Sequence, residues 1–496
     1  MGRMSGHGTG LRWARARRRA AAICAGGAIA VGALGVPPSS AAPGSTPFDL
    51  ESARLSSGLV EALNGSGLDG LVDFGSNTGR AAAGPAEHLP NVDLAVIELT
   101  ASGEIAGVAN VLYDRDDPAG YQVAIDPQTL QTQGVEFARW RQARWDEQDE
   151  WEAGPAEEDV TVAADDPGKR YMAAYPASVL KLMVAYSVYR LVDEGRLGLS
   201  DEVTYRERKG RSCGYRPSNP TGVSPAPEAE GAADTLAGWL DQMITVSDGF
   251  ATCVLLQAID DADALEEANE HFAEIGLPSL RMLPAEPEVG NGWSSGTMSM
   301  GALDTAKLLA LVSGAPGVRW TAPDGSEVTG ERVLSAESRA AFRADLAEQS
   351  FNEVLNPVNL CGSTDAVQGI PSTVPERWVD AASGAVLTSD GDLVIDFGFD
   401  TRLCGELARV EFLHKPGLTF NAGGDAGIVR ALPDQDGRWY VVAVLSNVGY
   451  RFGDPDWALS QPNACEGAPY VCYPRGFGRL GKAIDDLVLA RPPDVR

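Results

Sequence analysis

The sequence predicts an α+β fold, an antiparallel β-sheet flanked by helices and joined to an all-helical lobe. Three observations predict it. A strand hairpin lies near the start of the chain, helical periodicity fills the middle, and three strand-like runs joined by short turns lie near the end.

In order, Phe48 to Leu63 has helical periodicity. Val92 to Leu99 reads as a strand, Thr100-Ala101-Ser102-Gly103 as a turn, and Ile105 to Tyr113 as the returning strand. Glu136 to Asp166 is acidic, Trp-rich and then broken by Gly and Pro, the pattern of an exposed insertion. From Ala177 to Gly195 the pattern is helical. Val179, Leu180, Leu182, Met183, Tyr186, Val188, Leu191 and Val192 cover most of the circumference, so this helix should be buried. Pro217 to Gly231 is a loop. Leu236 to Thr245 and Phe250 to Ile259 read as two helices parted by a short turn. Pro278 to Met300 is irregular, Leu303 to Val312 is helical, and Gln349 to Leu403 is poorly periodic. Leu407 to Leu413, Asp425 to Ala431 and Arg438 to Leu445 form an antiparallel meander, and a helix over Leu480 to Ala490 closes the chain. The expected α/β lobe is residues 43–170 with 345–496, and the helical lobe is residues 171–344.

Residues 1–42 read as a signal peptide. Arg12, Arg15 and Arg17-Arg18-Arg19 are basic, Ala20 to Val36 is apolar, and Ser39-Ser40-Ala41-Ala42 supplies small residues for cleavage. The rival reading is a membrane anchor, for which the apolar stretch is short. The expectation is a secreted monomer, extracellular or retained at the cell envelope. A formal net charge of −29 argues against nucleic acid or a stable membrane partner. Removing Cys24 leaves Cys213, Cys253, Cys361, Cys404, Cys465 and Cys472, an even set that suggests disulfides, with Cys465–Cys472 a plausible local pair. With no CxxC spacing and four histidines, no metal is expected, nor any cofactor.

Ser178-Val179-Leu180-Lys181 opens the buried helix. A spacing of three puts both side chains on one face, where Lys181 can reach the serine hydroxyl. An alcohol is a poor nucleophile until a base takes its proton. A neutral lysine can be that base, although holding it neutral near pH 7 costs about 4 kcal/mol. Burial and a helix N-terminus favour the neutral amine, a state closed to arginine. The chain has six lysines, and only Lys181 follows a serine by three. Met243 to Gly249 places Ser247 between two helices, where it can relay a proton or simply cap a helix with Asp248. Lys415-Pro416-Gly417 ends a strand ahead of Asp425-Ala426-Gly427. Lys415 can hold a substrate carboxylate, and a close approach at Gly417-Leu418 can offer an N–H to an oxyanion.

In this order the three pieces resemble the Ser-x-x-Lys, Ser-Asp-Asn, Lys-Thr-Gly set of class A β-lactamases and penicillin-binding proteins. Tyr175-Pro176-Ala177-Ser178 and Gly424 to Val429 are similar to the family's flanking sequence. The resemblance implies an acyl-enzyme on Ser178, with Lys181 and Ser247 handling protons. It also implies an oxyanion hole from the N–H groups of Ser178 and Leu418, and a small-molecule β-lactam or peptidoglycan stem peptide as partner. It implies a carboxylate that drives water into the acyl-enzyme. Glu286 is the first choice and Glu288 the second, in Glu286-Pro287-Glu288-Val289-Gly290-Asn291. Two positions depart from the pattern. Gly249 replaces an asparagine that contacts the substrate's side chain, and Pro416 replaces a hydroxyl residue that grips its carboxylate. Neither touches the four reactive side chains, so altered recognition is expected. The readings left open are a β-lactamase, a D-alanyl-D-alanine peptidase or esterase on the same site, and a silent wall-binding module. Gly292-Trp293-Ser294-Ser295-Gly296 fits another nucleophile turn, but the strand that such a turn needs is missing before it. His414 reads as a strand-end residue.

Overall fold

The computed structural model describes residues 45–74, 84–86, 89–139, 168–206, 230–282, 298–362, 368–390, 393–435, 437–453 and 471–491. The expected signal peptide, the elbow at 292–296 and most of the 136–166 segment lie outside the described residues. So do Glu286 and Glu288.

Helix α1 (Pro47–Ser66) starts at a capping box, with Thr46 and Asp49 each satisfying the other's backbone N–H. The hairpin strands are β1 (Val92–Leu99) and β2 (Ile105–Tyr113), followed by the short β3 (Tyr121–Gln122). The meander near the end is β8 (Val410–Leu418), β9 (Gly423–Ala431) and β10 (Trp439–Ser446). Together they make one antiparallel sheet in the order β8-β9-β10-β1-β2-β3. The early hairpin and the late meander meet through the pairing of β10 with β1.

That sheet is buried on both faces, and strand alternation assigns each side chain to one of two cores. Leu94 and Val96 of β1, with Tyr440, Val442 and Val444 of β10, join Leu55 and Leu59 of α1 and Phe477, Leu480 and Ile484 of the closing helix α8 (Tyr473–Leu489). Ala95, Ile97, Val441, Ala443 and Leu445 face the other way, into the helical lobe. There lie α2 (Lys181–Asp193), α3 (Leu236–Thr245), α4 (Gly249–Asp261), α5 (Leu265–Glu274), α6 (Ala302–Val312) and α7 (Ala336–Ala347). The α+β class read from the sequence is the one observed. Each fully buried Leu or Val on these faces stabilises the fold by about 1.5–3 kcal/mol.

The structure corrects several boundaries. Residues expected to open an exposed insertion form β4 (Val135–Arg139), paired in parallel with β5 (Lys169–Ala173). Phe137 packs edge-on to Tyr171 with ring centroids 5.9 Å apart. Helices α5 and α7 were not expected, and α8 begins seven residues before Leu480. The last sheet edge runs to Leu418 instead of stopping at Leu413, because Pro416 and Gly417 read as breakers yet sit where an edge strand tolerates them. The poorly periodic stretch contains a hairpin of β6 (Leu387–Asp390) and β7 (Leu393–Asp396). Its small core is built on Phe351, Val358, Leu360, Val374, Val386 and Phe397, and a Cys361–Cys404 disulfide closes it. Cys253 and Cys472 are also disulfide-bonded; Cys465 lies outside the described residues. Among the described residues, no helix is long and apolar enough to cross a membrane.

Candidate active site

Ser178 sits in a 3-10 turn, Ala177–Leu180, that leads into α2. The helix expected from Ala177 therefore begins one turn later, and Ala177 enters it through a left-handed φ of 48°. In the tighter turn residues i and i+3 nearly eclipse, so the three-residue spacing still brings the side chains together. Lys181 Nζ lies 2.8 Å from Ser178 Oγ. The lysine is 5% exposed and opens a helix whose residues are almost all buried.

Ser247 lies in the turn between α3 and α4. Asp248 is the cap of α4, its carboxylate accepting from the Ala251 N–H at 2.7 Å. The capping role is thus taken by Asp248, and Ser247 is turned elsewhere by a left-handed φ of 58°. A non-glycine residue held there costs on the order of 1–2 kcal/mol. Lys181 Nζ donates to Ser247 O at 2.8 Å and lies 3.0 Å from Ser247 Oγ. Lys415 Nζ donates to the same Oγ at 3.0 Å and to Pro416 O at 2.9 Å. Lys415 is fully buried, not the exposed strand-end residue that its flanks allow. A serine oxygen has two lone pairs and one proton. Both lysine amines thus converge on this one oxygen.

Strand β8 carries Lys415 on the sheet edge. The Thr419 N–H donates to Ala422 O at 2.8 Å, so by alternation the odd-numbered residues of β8 exchange ladder bonds with β9. The even-numbered Pro416 and Leu418 then turn their backbone polar groups to the open edge. Proline costs the ladder nothing at such a position, and the Leu418 N–H is aimed off the sheet. Gly417 presses against the turn that carries Ser178, where a Cβ would lie 2.5 Å from Ser178 N and 2.7 Å from Val179 N. The Ser178 and Leu418 amides are therefore brought to adjoining edges. Gly249 is the first residue of α4.

So Ser178, Lys181, Ser247 and Lys415 converge, with Gly417 and Leu418 beside them and Gly249 on the helix that follows Ser247. Such a set can pass a proton from an attacking hydroxyl to a leaving group and hold an anionic substrate. Among the described residues no group of three or more His, Cys, Asp or Glu is placed to hold a metal.

Sequence reasoning missed the layer behind Lys415. His414, 1% exposed, places Nδ1 2.7 Å from Asp425 Oδ1 and Nε2 2.9 Å from Asn352 Oδ1, and stacks on Phe412 at 4.0 Å. A Cβ on Gly427 would meet His414 Cβ at 2.4 Å and Phe412 Cε2 at 2.6 Å, so that glycine makes room for the stacked pair. Asn352 lies in a stretch without periodicity, and no local pattern links it to His414.

The family model described as "Beta-lactamase enzyme family" matches residues 171–357. Those residues hold Ser178, Lys181 and Ser247; Lys415 lies beyond them. The resemblance read from the motifs is borne out over that stretch. No curated protein matches the chain. Among solved structures, a class A β-lactamase from Bacteroides cellulosilyticus DSM 14838 is 14% identical, covering 88% of this chain and 99% of its own, with a TM-score of 0.43. A β-lactamase from Sphaerobacter thermophilus DSM 20745 is 16% identical over the same shares, with a TM-score of 0.40. PBP-A is 17% identical, covering 65% of this chain and 84% of its own, with a TM-score of 0.36.

Proposed function

We propose that this chain, similar over residues 171–357 to the β-lactamase enzyme family, is an exported serine hydrolase that opens β-lactam amides through an acyl-enzyme on Ser178. One observation carries the reading: Lys181 Nζ touches both Ser178 Oγ and Ser247 Oγ, and Lys415 Nζ touches the second of these from the other side. Like charges disfavour each other at this range, which favours one ammonium and one free amine around Ser247. Lys415, fixed on the sheet edge, is the ammonium and holds the substrate carboxylate. Lys181 is the amine and takes the proton of Ser178 as its oxygen attacks the lactam carbonyl. The C–N bond breaks as Ser247 gives its proton to the leaving nitrogen and takes in its place the proton that Lys181 accepted from Ser178. The Ser178 and Leu418 N–H groups hold the oxyanion. Glu286, or failing it Glu288, directs water at the acyl-enzyme. Export rests on the basic and apolar N-terminal segment.

Gly249 and Pro416, which lack the amide and hydroxyl of the family pattern, support a second reading, a D-alanyl-D-alanine peptidase or esterase that loses its acyl group slowly. A fluorescent penicillin separates the readings. Rapid turnover supports the first and a stable label on Ser178 the second, whereas no label at any concentration overturns both. Ser178→Ala is expected to abolish turnover and labelling together; hydrolysis that survives it, followed by absorbance, removes Ser178 as nucleophile.

A further inference from the structure

Two catalytic side chains come from elements far apart in the sequence. Ser247 hangs on the end of α3, and Lys415 on the sheet edge. Their 3.0 Å contact requires something to hold the helix end and the strand in register. Residues 349–355, which follow α7, run between them. At one end the Gln349 Nε2 amide donates to Ile244 O at 2.8 Å. Ser350 donates to Thr245 O twice, from its N–H at 2.9 Å and its hydroxyl at 2.8 Å. These are the last carbonyls of α3, which a helix leaves without intrahelical partners. At the other end Asn352 Oδ1 faces His414 Nε2 at 2.9 Å, and the Leu355 N–H donates to Asp425 Oδ2 at 3.2 Å. His414 and Asp425 belong to the two strands that carry and back Lys415.

The Asn352 amide nitrogen donates to Gln349 O at 3.2 Å, so its oxygen is the atom that meets the imidazole of His414. The segment is itself pinned. Asn359 donates from its side chain to Ser350 O at 2.8 Å and from its N–H to Asn352 O at 3.0 Å. The Thr388 hydroxyl of the β6–β7 hairpin donates to Ser350 Oγ at 2.7 Å. Gln349, Ser350, Asn352 and Asn359 are each no more than 2% exposed. Buried polar side chains tied together by this many hydrogen bonds favour one arrangement. A left-handed serine persists only where its surroundings over-determine it, and this segment supplies that constraint from behind.

We propose that residues 349–355 are a strap that sets the Ser247–Lys415 spacing, and that Ser350 and Asn352 are positioning residues for acyl transfer. The inference rests on the proposed acyl chemistry for its kinetic readout alone. The test compares the wild-type chain with Asn352→Ala, Asn352→Asp and Ser350→Ala. Stopped-flow labelling with a fluorescent penicillin yields the acylation rate constant and the dissociation constant of the preceding complex. Asn352→Ala is expected to acylate at least tenfold more slowly with the dissociation constant changed less than twofold. Asn352→Asp, which keeps an acceptor for His414, should restore most of the rate, and Ser350→Ala should lie between. An Asn352→Ala chain that remains folded by circular dichroism and acylates at the wild-type rate overturns the strap. Crystal structures of the wild type and Asn352→Ala provide a readout without chemistry. A lengthened Ser247 Oγ–Lys415 Nζ separation in the variant supports the strap, and an unchanged 3.0 Å contact overturns it. A wild-type chain that takes no label overturns the acyl chemistry and leaves the crystallographic comparison to decide the strap.

Discussion

An ideal Cβ on Gly417 lies 2.5 Å from the Ser178 amide nitrogen and 2.7 Å from that of Val179, both backbone atoms that cannot swing away. The glycine is there because two backbones approach, one the turn that carries Ser178 and the other the edge strand. Gly417→Ala must therefore push β8 away from the 3-10 turn. Acylation of Ser178 by a fluorescent penicillin should fall at least tenfold in that variant, because an oxyanion donor displaced by about an ångström loses most of its effect. A variant that labels at the wild-type rate would place the oxyanion donors elsewhere. Gly417 stood in the sequence as part of a motif. The reason for it, a neighbour more than two hundred residues earlier, was not visible there.

At the scale of elements, helix α2 was the most legible part of the chain. Its apolar residues run round most of the circumference, a pattern that suits a helix buried on nearly every side. Edge strand β8 was less legible. Its alternation is interrupted by His414 and Lys415, which are polar yet buried on opposite faces of the sheet. The segment after α7 was not legible at all, because its order comes from side-chain hydrogen bonds and a disulfide, neither of which has a period. Its small core depends on Cys361–Cys404, which closes a sequence separation of 43 residues. Replacing both cysteines with serine should lower the stability to urea by about 2–4 kcal/mol. An unchanged unfolding midpoint would mean that the core around Val358, Val386 and Phe397 suffices without the bond.

For the whole molecule, burial leaves a group of carboxyls that prefer to stay protonated. It pushes Asp93, Asp345 and Asp485 up to about 6, and Glu98 and Glu353 up to about 7. Each holds its proton more tightly in the fold than in the unfolded chain. Their contribution is present below the ordinary carboxylate range and is lost as pH rises through 6 to 7. Buried His271, pushed down to about 4, acts in the opposite sense over part of that window. Lys307, pushed down to about 8 by burial, recovers stability only at higher pH. A formal net charge of −29 adds self-repulsion as the remaining carboxylates ionise. Five carboxyls and the net charge outweigh one histidine, so thermal unfolding should occur several degrees higher at about pH 5 than at about pH 7.5. Scanning calorimetry in low salt checks this; a midpoint that rises with pH over that interval would mean that these carboxyls ionise freely in the fold.

What the chain could determine by itself was whatever repeats locally: helical and strand periods, and a serine and a lysine three residues apart. Those features settle the class of fold and nominate Ser178, Lys181, Ser247 and Lys415, because local spacing dictates which side chains share a face. Tertiary structure decided which of those groups meet. Two lysines 234 positions apart in the sequence converge on one serine oxygen only because the early hairpin and the late meander close into a single sheet against the helical lobe. It also decided that His414 is buried against Asp425 and Asn352, since a hydrogen bond between distant residues depends on packing geometry and leaves no mark on neighbouring sequence.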